Sequence, residues 1–211
     1  FFFFFLEQGA IATTKYGVVE LNLLHTGIGM FYTAWHLGRA FLKFRPDLAI
    51  QFGIAGAFAA GPEVLEVVEV NQECFAELGA ESPEGFLSLE KLGFSNFVLD
   101  NQPFFNTLAQ PLPPLEGLRQ CRGVTVNRIS GTTAGIEELE QIWAPEVETM
   151  EGAAFFQACL LERIPFRALR AISNRVEPRN RAAWRLKEAV ELVQIELLER
   201  LDAIAKGKIE Q

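Results

Sequence analysis

Short apolar runs of strand length recur along this sequence, and each one ends in small or polar residues. The runs are residues 18–24, 48–52, 124–129 and 166–172. Ser173 and Asn174 follow the last run, and a glycine-rich segment, residues 53–58, follows the second. Because open α/β sheets bind ligands at the carboxyl ends of their strands, these small and polar residues are the candidate binding residues.

Helical stretches lie between these runs. Residues 31–44 form one that ends before Pro46, and residues 148–163 form another that ends before Pro165. A third stretch, residues 184–204, carries one apolar stripe at helical spacing. Strand, helix and strand over residues 18–52 predict a right-handed βαβ unit, with residues 53–58 as a turn. We therefore expect one α/β domain over residues 1–211.

Composition narrows the class of function. The 211 residues include 19 Lys and Arg against 27 Asp and Glu, a net charge of −8, which argues against a nucleic-acid surface. No apolar run approaches the roughly 18 residues that cross a bilayer, so no membrane partner is expected. Three separated cysteines favour a reducing cytoplasm, and only two histidines argue against a histidine-rich metal site. We predict no cofactor, although a magnesium site made only of carboxylates stays open.

The chain begins with five phenylalanines, Phe1–Phe5, without an initiator methionine or a basic flank. The run is too short for a signal sequence. We expect it to be non-native or misassigned sequence.

Three common site motifs are incomplete. Gly27 and Gly29 resemble the start of a dinucleotide fingerprint, but Tyr32 occupies the place of its third glycine. The segment after Phe52 lacks the Gly-Lys-Ser/Thr of a P-loop. Neither histidine follows a serine in the context that a Ser-His-Asp hydrolase requires. These three classes are therefore not supported.

Three other segments, taken together, resemble the nucleoside phosphorylase and nucleosidase superfamily. They are residues 52–57, 148–154 and 170–174, with residues 26–29 upstream. Residues 148–152 and 173–180 read most like the futalosine hydrolase branch. The resemblance implies a three-layer α/β/α sandwich with a central mixed, largely parallel sheet. It also implies a cytoplasmic hydrolase that releases hypoxanthine from futalosine in menaquinone biosynthesis, acting as a homodimer or higher homo-oligomer.

The resemblance assigns Glu151 and Met150 to the sugar. Glu151 would accept hydrogen bonds from the ribose 2′- and 3′-hydroxyls, a task that suits an acceptor-only carboxylate. Met150 would pack against the sugar as a polarizable apolar surface. From the residues alone, Glu151 is better explained as a first-turn carboxylate that the helix dipole favours.

Asn174, with Ser173 beside it, is assigned to the nucleobase. Relatives that release adenine have aspartic acid here, which can protonate the purine N7. An amide donates to N7 or to a 6-oxo group instead, which favours hypoxanthine or guanine. From the residues alone, Asn174 also fits a turn-forming asparagine at a strand end.

Ile54, Ala55 and Gly56 would form the floor beneath base and sugar, or simply a tight turn. Ile28 would line the 5′ side of the nucleoside, or belong to the core. Three arginines are candidates for the carboxylate of the futalosine 5′ extension: Arg175, Arg179 and Arg181.

Relatives also carry a water-activating glutamate after their first strand, and neither Glu7 nor Glu20 lies in that context. Two alternatives therefore stay open. One is a purine nucleoside phosphorylase for 6-oxopurines, and the other is a nucleoside-binding homologue without catalysis.

Overall fold

The computed structural model describes residues 7–94, 98–99, 102–103 and 105–207, and its strands and α-helices alternate over residues 119–205. The strands are β1 (Ile11–Tyr16), β2 (Val19–Leu24), β3 (Ala49–Ala57), β4 (Val67–Cys74), β5 (Gly79–Ser82), β6 (Gly85–Ser88), β7 (Val98–Leu99), β8 (Gln102–Pro103), β9 (Thr107–Ala109), β10 (Arg119–Thr125), β11 (Val147–Thr149) and β12 (Phe166–Arg175). The helices are α1 (Met30–Lys43), α2 (Thr133–Trp143), α3 (Gly152–Glu162) and α4 (Leu186–Ala205), with a 3₁₀ turn at Arg181–Ala183. Phe1–Phe5 lie outside the described residues.

The central sheet has six strands in the order β10-β11-β3-β12-β4-β9. Three of its pairs are parallel, namely β10 with β11, β10 with β4, and β12 with β3. Three are antiparallel, namely β11 with β3, β12 with β4, and β4 with β9. The predicted α/β fold with a central mixed sheet is confirmed. Because β10 also pairs with β4, five of the strands close into a ring.

Helices cover both faces of β12, whose side chains alternate between two apolar clusters, as the two-residue period of a strand requires. Ala168 and Ile172 pack in a cluster that includes side chains of α1 and α3. Leu169 and Ala171 pack in a second cluster with side chains of α4. Arg170 shares the face of Ala168 and Ile172 and therefore points toward the α3 side. None of the described helices combines the length and apolar composition that crossing a bilayer requires.

The N-terminal βαβ prediction is wrong in its first strand. Within the described residues β2 pairs with β1 as an antiparallel hairpin, and it takes no place in the central sheet beside β3. The sequence correctly predicts that residues 18–24 contain a strand, but it does not show that this strand pairs with β1. The predicted helix of residues 31–44 corresponds to α1.

Three element boundaries also differ from the prediction. Residues 53–57 continue β3 instead of forming a turn, because pairing with β12 extends through Ala57. Residues 147–149 form a short strand, β11, and α3 begins only at Gly152. The predicted strand of residues 124–129 ends earlier, at Thr125. Each difference arises from sheet pairing over a long sequence separation, which local composition does not encode.

Candidate functional site

A β-bulge at the end of β12 sets the position of Asn174. Ile172 is in register with Ala55 of β3, and Asn174 is in register with Gly56, so Ser173 is the extra residue. The backbone carbonyl of Ser173 instead accepts a hydrogen bond from the Arg185 amide at 2.8 Å, just before α4. A bulge redirects the side chains around it, and it is a frequent feature beside binding sites.

Hydrogen bonds within the protein fix the amide of Asn174. Its Oδ1 accepts from the Ser173 hydroxyl at 2.8 Å, and its Nδ2 donates to the Arg175 carbonyl at 2.8 Å. A side-chain amide nitrogen carries two hydrogens, so one N–H of Asn174 is left for a further acceptor. The residue is 9% exposed. This arrangement leaves one donor of the amide free, and the assignment of Asn174 and Ser173 to the nucleobase stays a prediction.

Gly56 lies between the strands that carry the predicted residues. It is in register with Asn174 on β12 and with Glu148 on β11. A Cβ atom at position 56 would lie 3.2 Å from Asn174 Nδ2 and 3.0 Å from a methyl group of Val176. The glycine therefore gives the amide of Asn174 the space that it occupies.

Glu151 lies between β11 and α3, as the N-cap residue of α3. Its side chain makes no capping bond to its own helix. Instead its Oε1 accepts a hydrogen bond of 2.8 Å from the backbone N–H of Gly29, the N-cap residue of α1. The half-buried carboxylate thus interacts with the N-terminus of a different helix from the one that the local pattern suggested.

Arg170 belongs to the segment of residues 170–174 that carries the family resemblance. It lies on β12 and is 2% exposed. Burial lowers the pKa of its guanidinium, while the negative charges of Glu73 and Glu151 oppose that shift. Its hydrogen bonds go to the Gln51 side chain and to the Leu169 carbonyl. A buried cation therefore lies within electrostatic range of Glu151, on the same strand as Asn174.

Two residues of the predicted floor beneath base and sugar, Ile54 and Ala55, pack in different apolar clusters on the two faces of the central sheet. Ile54 packs against the cluster beneath α4, whereas Ala55 is buried in the cluster with α1 and α3. Met150 is half-buried between β11 and α3. Ile28 is 74% exposed, so the alternative of a core residue is wrong for it. The ligand contacts expected of these four residues stay predictions.

The three candidate arginines lie in different surroundings. Arg175 forms an ion pair with Glu63 and donates to the Pro62 carbonyl at 2.8 Å, so its guanidinium already has partners. Arg179 is exposed, and its guanidinium lies 5.7 Å from the centre of the Trp184 ring. Arg181 is exposed in the 3₁₀ turn. The last two are better placed than Arg175 to meet a ligand carboxylate.

The loop before α2 is held by a glutamate that sequence reasoning did not single out. Glu148 accepts hydrogen bonds from both the backbone N–H and the hydroxyl of Ser130. Burial raises the pKa of the Glu148 carboxyl, and the bonds from Ser130 oppose the shift. Its position opposite Gly56 could be found only from the strand pairing.

Glu73 on β4 was also missed, although a glutamate inside an apolar strand is itself an unusual signal. The side chain is fully buried. Burial raises the pKa of its carboxyl from 4.5 to about 7, against the opposing effects of Arg170, Thr125 and Thr149. In the described part of the chain, no group of three His, Cys, Asp or Glu side chains could hold a metal ion.

The chain is similar to one protein family over nearly its whole length and to two futalosine hydrolases over most of it. The family model of the phosphorylase superfamily matches residues 4–210. The futalosine hydrolase of Thermus thermophilus is 37% identical over 175 residues, which cover 79% of this chain and 75% of that protein. The futalosine hydrolase of Streptomyces coelicolor is 36% identical over 176 residues, which cover 80% and 73%.

Solved structures share the fold. A methylthioadenosine/S-adenosylhomocysteine nucleosidase from Streptococcus pneumoniae, with the transition-state inhibitor MT-ImmA, has a TM-score of 0.74 at 21% identity, covering 92% of this chain and 86% of that chain. The native futalosine hydrolase of Helicobacter pylori strain 26695 has a TM-score of 0.74 at 14% identity, covering 91% and 83%. The family resemblance predicted from the sequence is confirmed by the family model and the two futalosine hydrolases.

The raised pKa of Glu73 predicts a pH dependence of stability. Between pH 4.5 and about 7 the unfolded chain releases this proton and the folded chain retains it. The contribution to the free energy of unfolding is therefore greatest below pH 4.5 and is lost as the pH rises through about 7. Glu73→Gln removes this titration. We expect the stability of the wild type, relative to the variant, to fall by about 3 kcal/mol across that range.

Urea unfolding of both proteins between pH 4 and pH 8 measures the difference. The free energy of unfolding is plotted against pH for each protein. If the two curves stay parallel over the whole range, Glu73 takes up no proton on folding.

Proposed function

Since this chain belongs to the phosphorylase superfamily, we propose that it hydrolyses the N-glycosidic bond of futalosine and releases hypoxanthine. The observation that carries the proposal is the Asn174 amide, which Ser173 and Arg175 hold so that one N–H remains for a ligand. Activity toward futalosine is supported by the two curated relatives, whose matched regions cover most of this chain.

At the base, the amide of Asn174 donates to an acceptor of the purine. A 6-oxopurine presents acceptors at O6 and N7, whereas adenine presents a donor at its 6-amino group. A site built to hydrogen-bond one edge rejects the edge that leaves its groups unpaired. Hypoxanthine is therefore favoured over adenine as the released base.

At the sugar, Glu151 accepts hydrogen bonds from the ribose hydroxyls. One carboxylate oxygen already binds the Gly29 N–H, and the second oxygen remains for the diol. Cleavage of an N-glycosidic bond builds positive charge on the ribose, so a nearby carboxylate stabilises the transition state more than the ground state. Met150, beside Glu151, packs against the sugar ring.

The cellular setting belongs to the same proposal. A single nucleosidase domain with these contacts would act in the cytoplasm, on the route to menaquinone. All three cysteines are buried free thiols, which fits a reducing compartment.

A product assay on futalosine, inosine and methylthioadenosine tests the activity. We expect hypoxanthine release from futalosine at equal rates with and without phosphate, because hydrolysis uses water as the nucleophile. Glu151→Gln keeps the size of the side chain and removes its charge, and should lower kcat/KM by about 100-fold or more.

Strict dependence on phosphate would identify a phosphorylase instead. Calorimetric binding of futalosine without turnover would identify a nucleoside-binding homologue. Wild-type rates in Glu151→Gln would remove this residue from the sugar site.

Asn174→Asp tests the assignment of the base. The carboxylate keeps the bond from the Ser173 hydroxyl but loses both N–H groups, the one that binds the Arg175 carbonyl and the one proposed for the ligand. We expect kcat/KM for futalosine to fall by about 10-fold to 1,000-fold, as for loss of one buried hydrogen bond to a substrate. Release of adenine from methylthioadenosine should rise in the same variant.

The matched control is Asn22→Asp, the same change at an exposed position of β2, where the side-chain oxygen still accepts the hydrogen bond from the Thr13 hydroxyl. If the ratio of kcat/KM for futalosine to kcat/KM for methylthioadenosine is the same in Asn174→Asp as in the wild type, the base-reading role is contradicted.

We further propose that the chain forms a homodimer through α1. Phe31, Trp35 and Leu42 lie on one face of this helix and are 74%, 55% and 90% exposed. Beside them, Met30, Phe41 and Leu161 line an open apolar groove. Arg39 lies beside them, with its guanidinium 6.0 Å from the centre of the Trp35 ring. An exposed apolar patch with a charged residue at its edge is typical of a protein interface.

Trp35→Glu places a charge in the centre of that face. We expect sedimentation equilibrium to show a dimer for the wild type and a monomer for the variant. Leu198→Glu, an exposed change on α4, should leave the dimer intact. A wild type that sediments as a monomer at all concentrations would contradict the interface.

A further inference from the structure

Both carboxylate oxygens of the buried Glu73 are bound by threonine hydroxyls. Thr125 Oγ1 donates to Oε2 at 2.8 Å, and Thr149 Oγ1 donates to Oε1 at 3.2 Å. Thr125 is the last residue of β10, and Thr149 is the last residue of β11. Glu73 therefore joins the ends of two strands in the central sheet.

The same two hydroxyls accept hydrogen bonds from the start of α3. The backbone N–H of Gly152 donates to Thr149 Oγ1 at 3.2 Å, and that of Ala153 donates to Thr125 Oγ1 at 2.7 Å. These are the first two residues of α3, directly after Glu151. The first amides of a helix have no partner within it, so the threonines satisfy groups that would otherwise be buried without one.

The number of protons on each group determines which groups donate and which accept in this network. A threonine hydroxyl has one proton, and here each hydroxyl oxygen accepts a hydrogen bond from a backbone N–H while its own O–H donates to Glu73. Two acceptor oxygens are the pattern of an ionised carboxylate. When Glu73 takes up a proton, one of its oxygens becomes a donor, and one threonine must turn its proton elsewhere. The two threonine oxygens lie 3.1 Å apart, which gives that proton an alternative acceptor.

Two glycines allow the carboxylate to lie directly against the backbone. A Cβ atom at Gly152 would lie 2.0 Å from Glu73 Oε1, and one at Gly123 would lie 2.6 Å from it. Both distances are shorter than real Cβ contacts, so neither position has space for a side chain. The carboxylate of Glu73 is therefore packed against the residue that follows Glu151.

We propose that Glu73 is a positioning residue for Glu151, which it holds in place through Thr125, Thr149 and the first amides of α3. Glu73 touches no substrate in this proposal. It fixes the backbone from which Glu151 reaches Gly29 and the sugar. The sugar contact of Glu151 rests on the proposed function, whereas the contact with Gly29 does not.

Charged groups from the packed elements act on this network. Arg170 of β12 interacts electrostatically with both Glu73 and Glu151. Cys74, beside Glu73, is buried, and burial raises the pKa of its thiol to about 12, so it stays uncharged at neutral pH. Proton uptake by Glu73 would leave Glu151 as the remaining negative charge that acts on Arg170. A change at Glu73 therefore reaches Glu151 both through hydrogen bonds and through the shared cation.

The test compares Thr149→Val with Thr149→Ser. Valine keeps the shape of threonine but leaves the Gly152 N–H unpaired, whereas serine restores the hydroxyl. We expect kcat/KM for futalosine to fall about tenfold or more in Thr149→Val, and to return to within about threefold of wild type in Thr149→Ser. The backbone amide of Gly29, observed by NMR, should shift in the valine variant and return in the serine variant.

Two further variants separate positioning from general stability. Glu69→Gln alters a buried carboxylate on the same strand that pairs with Arg167 at 2.7 Å. It should lower the melting temperature while leaving kcat/KM and the Gly29 amide unchanged. Glu73→Gln should shift the Gly29 amide and change the pH profile of kcat, and it serves where Thr149→Val does not fold.

The outcomes for the two proposals are distinct. If the folded Thr149→Val and Glu73→Gln proteins both keep the wild-type Gly29 amide, rates and pH profile, the positioning role is overturned. If the wild type does not act on futalosine but the Gly29 amide shifts as described, the proposed function fails and the positioning role stands.

Discussion

The burial of Glu73 is the constraint on which the rest of the site depends. A carboxylate loses most of its hydration when it is fully buried, and it is retained only with hydrogen bonds and a compensating charge. Here the bonds come from Thr125 and Thr149, and the charge comes from Arg170. Because the same threonines bind the first amides of α3, satisfying the carboxylate also fixes where the helix begins. The position of Glu151 is thus a consequence of how a buried charge is accommodated.

A second constraint acts on β12, where the extra residue Ser173 gives Asn174 its orientation. In a regular strand, side chains alternate strictly between faces, and Asn174 would follow the pattern of Ile172. The bulge breaks this alternation, and the Ser173 hydroxyl then binds the amide oxygen of Asn174. The donor that remains is directed by these contacts within the protein before any ligand arrives. In the proposed function, selectivity for a 6-oxo group would therefore depend on the bulge as much as on the choice of amide over carboxylate.

Local patterns in the sequence predicted what depends on short-range periodicity. The helices α1 and α4 and the strand character of β12 follow from apolar spacing and from prolines at 46 and 165. The extension of β3 through residues 53–57 could not be read in the same way, because pairing with a strand more than 100 residues away decides it. The pairing of β2 with β1 and the placement of Glu73 beneath α3 have the same origin. Asn174 and Glu151 were found by family resemblance, whereas their supporting residues required the three-dimensional contacts.

The bond between Gly29 and Glu151 holds the half-buried carboxylate in the orientation that the proposed sugar contact would use. A carboxylate offers about four acceptor positions, and the backbone N–H of Gly29 uses one of them. This bond restricts the rotamers of Glu151, so less conformational entropy is lost when a diol binds to the remaining positions. Gly29 has a φ of 90°, a conformation that side chains other than glycine rarely adopt. Replacing it would tilt the donor away from Glu151, even though a Cβ atom there meets nothing within 4 Å. The glycine is therefore required by its backbone conformation and not by lack of space, and it links the start of α1 to the start of α3.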